Sequence, residues 1–291
     1  MQKIGFIGLG IMGKAMVRNL LKKGFEVHAY ARNPAKVQDM LAEGVILHDS
    51  LRDAVALAEV VITIVGGPSD VEEIYTKEGG ILQSAKAGAY LIDMTTSSPA
   101  LAVKLHEEGK KHELHVLDCP VTGGDVGARN GTLSILCGGT EEDFAQVEPV
   151  LRVLGRVLTL EGGPGAGQHT KAVNQIMVAG SVAGMCEGFA YAKANHLDLQ
   201  KVLTAVGDGA AASRSLELYA QRIIEGDLKP GGYIKFLVKD LKLAQGGAEQ
   251  AGLSLPVMLE VLNTYQRMID AGQGDLGIQA LTAFCLEHKE S

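Results

Sequence analysis

Residues 3–16 read KIGFIGLGIMGKAM, an apolar run followed by Gly8-Leu9-Gly10-Ile11-Met12-Gly13 and then a helical pattern. The run at 3–8 is short and closed by glycine, as a buried strand is. Residues 11–23 put Met12, Ala15, Met16, Leu20 and Leu21 at helical spacing, with Lys22 and Lys23 in the last turn and Gly24 behind them. Glycines spaced GxGxxG between a strand and a helix answer a demand for close approach. The first makes the tight turn, the second lets a pyrophosphate reach the backbone, and the third lets helix and strand pack together. The helix start supplies N–H donors and the positive end of its dipole. A bare GxGxxG is also compatible with a simple turn. The strand before it, the helix after it and its place near residue 1 make Gly8, Leu9, Gly10, Ile11, Met12 and Gly13 the expected dinucleotide turn.

Working outward, strand patterns follow at 25–30, 60–65 (VVITIV), 89–94 (AYLIDM), 115–118, 133–137 and 156–160. Pro34 opens a helix, and Ser98-Pro99 caps another. Strands rich in Val and Ile with helices between them predict a parallel, doubly wound sheet. From about residue 165 helical patterns take over, at 170–195, 198–206, 215–225 and 238–250, and no strand pattern follows 160. The expected class is α/β: a Rossmann-type doubly wound sheet over 1–163, then an all-α domain over 164–291, joined at Gly162-Gly163-Pro164-Gly165.

Composition narrows the function. The chain has 291 residues, 46% hydrophobic and 21% charged, enough to bury a sizeable core. Its 27 Lys and Arg against 34 Asp and Glu give a net charge of -7, which argues against nucleic acid and anionic membrane as partners. Aromatics at 4% and the absence of Trp leave little for a base-stacking platform. Cys119, Cys137, Cys186 and Cys285 stand far apart without CxxC or zinc spacing, so reduced thiols are expected and no metal. No signal-peptide pattern opens the chain and no apolar run spans a membrane, which points to the cytoplasm.

Cofactor choice is read after the second strand, where an acid would bond the ribose hydroxyl of NAD. Here Arg32 and Asn33 follow Tyr30-Ala31, and a guanidinium suits the 2′-phosphate of NADP; NADP is the preferred expectation and NAD the alternative. A solvated loop cation is the plainer reading of Arg32. Thr122, Gly123 and Gly124 follow a strand, offering a hydroxyl and backbone N–H groups to a carboxylate, or else a tight turn before the next strand. Lys171, Asn174 and Gln175 share one helix face, and a lysine beside two amides near a helix start is an acid/base candidate rather than one that snorkels to water. Lys239 reads from pattern alone as half of a surface pair with Asp240.

Together these segments resemble the β-hydroxyacid dehydrogenase family over essentially the whole chain. The likeness rests on residues 5–16, DMTTSSP at 93–99, DCPVTGGDVGARNGTLSILCGG at 118–139, GAGQHTKAVNQI at 165–176 and YIKFLVKDLKLA at 233–244. The resemblance implies Lys171 as general acid/base, Asn174 as a substrate-orienting amide beside Gln175, and Thr122, Gly123 and Gly124 as the carboxylate turn. It places Val65, Gly66 and Thr96 on the cofactor cleft and Lys239 near the nicotinamide. It also implies a small carboxylate-bearing substrate and a homodimer or homotetramer. Four departures from the family pattern stand out: Thr122 where serine is usual, Gln175 for a second asparagine, Val65-Gly66 for Leu-Pro in the cofactor loop, and Gly277-Ile278-Gln279 for an Asp-x-Ser stretch, the last of which leaves the specific substrate open though not the reaction type.

The implied activity is interconversion of a small β-hydroxyacid and its semialdehyde or keto acid, of the 3-hydroxyisobutyrate dehydrogenase or 2-hydroxy-3-oxopropionate reductase type. A glyoxylate or short-chain semialdehyde reductase is close by. An imine reductase on the same scaffold would usually lack the lysine. A catalytically silent cofactor sensor is the rival outside enzymes.

Overall fold

The computed structural model describes residues 2–287. The chain divides into two compact units between Lys171 and Ala172.

Among the described residues of the first unit, nine strands form one sheet: β1 Lys3–Ile7, β2 Glu26–Tyr30, β3 Ile46–His48, β4 Val60–Thr63, β5 Tyr90–Asp93, β6 His115–Asp118, β7 Val121–Thr122, β8 Leu133–Gly138 and β9 Gly155–Gly162. Their order is β3-β2-β1-β4-β5-β6-β8-β7, with β9 also paired to β8. Strands β1 to β6 run parallel, as the Val and Ile runs predict. The sheet is not parallel throughout: β8 meets both β6 and β7 antiparallel, because the chain doubles back within the segment between them. Fully buried Ile4, Phe6, Val60, Ile62 and Ile92 form its core with Met16, Val17 and Leu20 of the helix Ile11–Lys22.

Three short elements have no clear local signature. Strand β3 has only three residues, and residues 121–130 build β7 and the helix Gly124–Asn130 rather than a turn before the next strand. Pro34 does stand at the first position of a helical segment, but that segment is 3-10 over Pro34–Val37 before the α-helix Gln38–Ala42 begins.

The second unit is helical, with Leu199–Val206, Arg214–Glu225, Ile234–Gln250, Pro256–Asp270 and Leu281–Glu287 around buried Val182, Phe189, Ile234, Leu241, Tyr265 and Met268. The long helix Ala166–Ala194 begins in the first unit and continues into the second. Among the described residues no helix is long and apolar enough to cross a membrane. Near the C-terminal end of the second unit the Gln279 side chain is buried, and its Nε2 donates to the carbonyls of Asp227 and Lys229, each at 2.9 Å. That amide staples the loop before the helix Ile234–Gln250.

Candidate active site

The glycine turn sits where strand order reverses, between β2 and β4 on either side of β1, which is where doubly wound sheets bind ligands. Its three glycines do different work. Gly8 has φ +109°, and a Cβ there would lie 2.0 Å from the carbonyl oxygen of Ile64. A Cβ on Gly13 would lie 1.9 Å from the carbonyl oxygen of Gly8, so this glycine lets the helix Ile11–Lys22 close on the strand end. Gly10 has ordinary extended backbone (φ −80°), and a Cβ there would meet no atom within 4 Å. Conformation and packing both leave Gly10 free to be larger, while its position at the helix start is where a pyrophosphate approaches. These residues fit a dinucleotide.

Three hydrogen bonds bind the neighbouring loops together. Thr63 Oγ1 donates to Asp93 Oδ1 at 2.8 Å, Asp93 Oδ1 accepts the Thr95 N–H at 3.1 Å, and Thr95 Oγ1 accepts the Val65 N–H at 3.0 Å. The ends of β4 and β5, carrying Val65-Gly66 and Thr96, are thereby fixed beside the glycine turn. Arg32, just past β2, forms an ion pair with Asp70 at 2.9 Å (side chains 66% and 25% exposed). Asp70 stands in the first turn of the helix Pro68–Thr76, and a Cβ on Gly66 would fall 2.4 Å from its carboxylate. A side chain at 66 would require the Asp70 carboxylate to move aside.

Asp118 ends β6, is buried, and reaches the start of the helix Ala166–Ala194. Its Oδ1 accepts the Gly165 N–H at 2.7 Å and its Oδ2 the Gln168 N–H at 2.8 Å. The carboxylate therefore caps a helix that begins 48 residues later in sequence, satisfying donors that have no partner within the helix. Burial pushes the Asp118 carboxyl up to about 6, against the pull of those two N–H donors, and nearby Asp93 adds to the rise. Lys171, five residues into this helix, is buried at 7% exposure rather than extended into water. Thr122, Gly123 and Gly124 follow Asp118 closely, with φ of +123° at Gly123 and +62° at Gly124. Only glycine adopts such backbone readily.

One prediction comes from Asp118 alone. A carboxyl whose folded-state pKa exceeds its unfolded one binds its proton more tightly when folded, so its contribution to stability grows as pH falls through about 6 and is lost as pH rises. A rise from the ordinary 3.8 to about 6 corresponds to about 3 kcal/mol. Asp118→Asn cannot ionise, so its stability relative to wild type should rise by about 2 kcal/mol from about pH 4.5 to about pH 7.5, the rest of the difference lying below about pH 4.5. Urea unfolding at the two pH values checks this. A difference independent of pH would contradict it.

The second unit carries the other candidate residues. Asn174 Nδ2 donates to Gln175 Oε1 at 2.7 Å, and Gln175 Nε2 donates to Asp240 Oδ2 at 2.6 Å. Lys239 Nζ lies 3.0 Å from Asp240 Oδ1. The Lys–Asp pair expected at the surface is thus partly buried and joined to the two amides. Asp240 orients Gln175, and Gln175 orients Asn174. Among the described residues no group of three or more His, Cys, Asp or Glu could hold a metal ion.

Asp70, Asp118, Gln168 and Asp240 carry no signal in the sequence that marks them as site residues. Asp118, Gln168 and Asp240 lie inside the family motifs at 118–139, 165–176 and 233–244, but their roles depend on partners distant in the chain.

This glycine turn at the switch point, with both neighbouring loops fixed beside it, is the arrangement of a dinucleotide-binding fold. Known proteins agree. The NAD binding domain of 6-phosphogluconate dehydrogenase matches residues 3–163, and the NAD-binding domain of NADP-dependent 3-hydroxyisobutyrate dehydrogenase matches residues 165–285. An uncharacterized oxidoreductase of Bacillus subtilis is 43% identical over 96% of each chain. The 2-hydroxy-3-oxopropionate reductase of Escherichia coli is 35% identical over 87% of each. Mycobacterium tuberculosis 3-hydroxyisobutyrate dehydrogenase, solved with L-serine, superposes with a TM-score of 0.89 at 28% identity, covering 98% of this chain and 99% of that one. The chain belongs to the β-hydroxyacid dehydrogenase family of NAD(P)-dependent enzymes.

Proposed function

We propose that this enzyme interconverts a small β-hydroxyacid and its semialdehyde or keto acid, with Lys171 as general acid/base. Burial of Lys171 on a helix capped from β6 is the observation that carries the reading. When bound, the nicotinamide supplies or accepts the hydride. Lys171 gives a proton to the substrate oxygen in reduction and takes it back in oxidation. Thr122, Gly123 and Gly124 hold the substrate carboxylate, and Asn174 and Gln175 orient the reacting end. The 163/164 boundary divides the cofactor-binding domain from the helical one.

The test is cofactor oxidation with tartronate semialdehyde, methylmalonate semialdehyde, succinic semialdehyde and glyoxylate. Turnover of none would sink the proposal. The imine reductase and silent-sensor readings lose ground because Lys171 is present and buried.

NADP is the proposed cofactor, supported by Arg32. Its guanidinium is mostly exposed and able to exchange Asp70 for a 2′-phosphate. Arg32→Ala is expected to raise the Kd for NADPH about tenfold and leave NADH within about twofold, as for loss of one charged hydrogen bond worth about 1.5 kcal/mol. Equal losses for both cofactors would point away from a 2′-phosphate contact.

A cytoplasmic enzyme fits the four free cysteines. A homo-oligomer fits Met177 and Tyr191, both exposed on the long helix.

A further inference from the structure

Gln168 lies three residues before Lys171 on the same helix face, and both are buried. Its side-chain amide is spent on one short stretch of backbone. Oε1 accepts the Ser97 N–H at 2.8 Å, and Nε2 donates to the Thr95 carbonyl at 2.8 Å. The residue between these two anchor points is Thr96. The main chain of Gln168 is anchored too, because its N–H donates to Asp118 Oδ2. Two glycines make room for the approach. A Cβ on Gly167 would stand 2.4 Å from the Leu136 carbonyl and 2.6 Å from that of Asp118. A Cβ on Gly138 would stand 2.4 Å from Asp118 Oδ1. The first turn of the helix is thus pinned at Gln168 to the ends of β5 and β6 together.

We propose that Gln168 is a positioning residue that registers the helix bearing Lys171 against the Thr95–Ser97 loop of the cofactor cleft. A donor and an acceptor on one planar amide, satisfied by backbone on either side of a single residue, fix both the rotation of the helix and its height along the axis. Lys171, one turn further on, inherits that placement. The proposal rests on reading Lys171 as the acid/base. Proton transfer demands hydrogen-bond distance to the substrate oxygen, and a misplacement of about 1 Å costs about a hundredfold in rate.

Gln168→Glu keeps the size and the acceptor but sets an oxygen against the Thr95 carbonyl; Gln168→Met keeps the length and removes both bonds. Each is made in the wild type and in Lys171→Ala, with circular dichroism at the assay temperature as the check on folding. With NADPH and the aldehyde acid of the panel turned over fastest, kcat should fall about tenfold or more in the wild-type background, while the Kd for NADPH stays within about threefold. In the Lys171→Ala background the same change should matter less than about twofold, because the group being positioned is gone. An equal effect in both backgrounds, or an unchanged kcat, overturns the proposal.

A second readout needs no substrate. The pH dependence of Lys171 acetylation by acetic anhydride, followed by mass spectrometry, should differ between wild type and a folded Gln168 variant. Superimposable profiles overturn the positioning role. If Lys171→Ala turns over normally, the acid/base reading fails on its own, and the acetylation comparison alone decides whether Gln168 positions Lys171.

Discussion

Lys171→Ala should bind cofactor as the wild type does and turn over about a thousandfold more slowly, within the range of about 10² to 10⁴ contributed by a positioned general acid or base. The separation follows from where the lysine sits. The residues proposed for the cofactor side, Gly8 to Gly13, Val65-Gly66 and Thr96, are held by β1, β4 and β5 and by the Thr63–Asp93–Thr95 hydrogen bonds. Those bonds do not run through the Lys171 side chain. The cap on its helix is made by Asp118 with backbone N–H groups, and a methyl at 171 leaves those bonds intact. Fluorescence titration with NADPH and steady-state turnover on one preparation check both halves. Turnover within a few-fold of wild type would remove Lys171 from the chemistry. A parallel loss of cofactor affinity would make its role structural.

The second large effect divides the glycine turn. Gly10→Val should fold normally and bind NADPH about a hundredfold more weakly, a loss of about 2.7 kcal/mol. The backbone of Gly10 suits any residue, and its Cβ direction is open, so the valine occupies only the space a pyrophosphate needs. Gly13→Ala should do the reverse first. Its methyl would lie 1.9 Å from the Gly8 carbonyl, a clash of backbone with side chain that no rotamer relieves. A destabilisation of about 2 kcal/mol, seen as a fall in Tm of about 5 °C, is expected. Thermal unfolding without cofactor, compared with titration of NADPH, separates the two. A Gly10→Val variant that melts early, or binds NADPH normally, would contradict this division.

The same contrast explains what could be read from sequence. The strand, glycine turn and helix of residues 3–22 are encoded locally, by apolar spacing and glycine placement, and the structure bears them out. Whereas Pro256–Asp270 and Leu281–Glu287 are not among the patterns read from the sequence, four of the second-half helices are legible for the same reason. Their starts are less so: the long helix begins at Ala166 rather than 170 because its cap, Asp118, comes from β6. Local propensity carries no trace of that bond. Arg32 stands out as a cation where an acid is expected, whereas Asp70 looks like an ordinary first-turn acid favouring the helix dipole. Asp240 is visible only as a neighbour of Lys239; its bond to Gln175 needs the helices packed.

Lys171, Asn174, Thr122 and most of the cofactor residues beyond the glycine turn take their roles from a family resemblance, and the family is established by matches across both parts of the chain.

Reduction of a carbonyl on a small carboxylate-bearing molecule is the activity on which all of these roles depend. Its most direct measurement is NADPH oxidation by the wild type with tartronate semialdehyde, methylmalonate semialdehyde, succinic semialdehyde and glyoxylate, each beside an uncharged aldehyde of equal length. The expected result is turnover of at least one aldehyde acid, with kcat/KM at least about a hundredfold above its uncharged counterpart, as for loss of a buried charged contact. No oxidation with any acid, or equal rates with the uncharged aldehydes, would contradict the account.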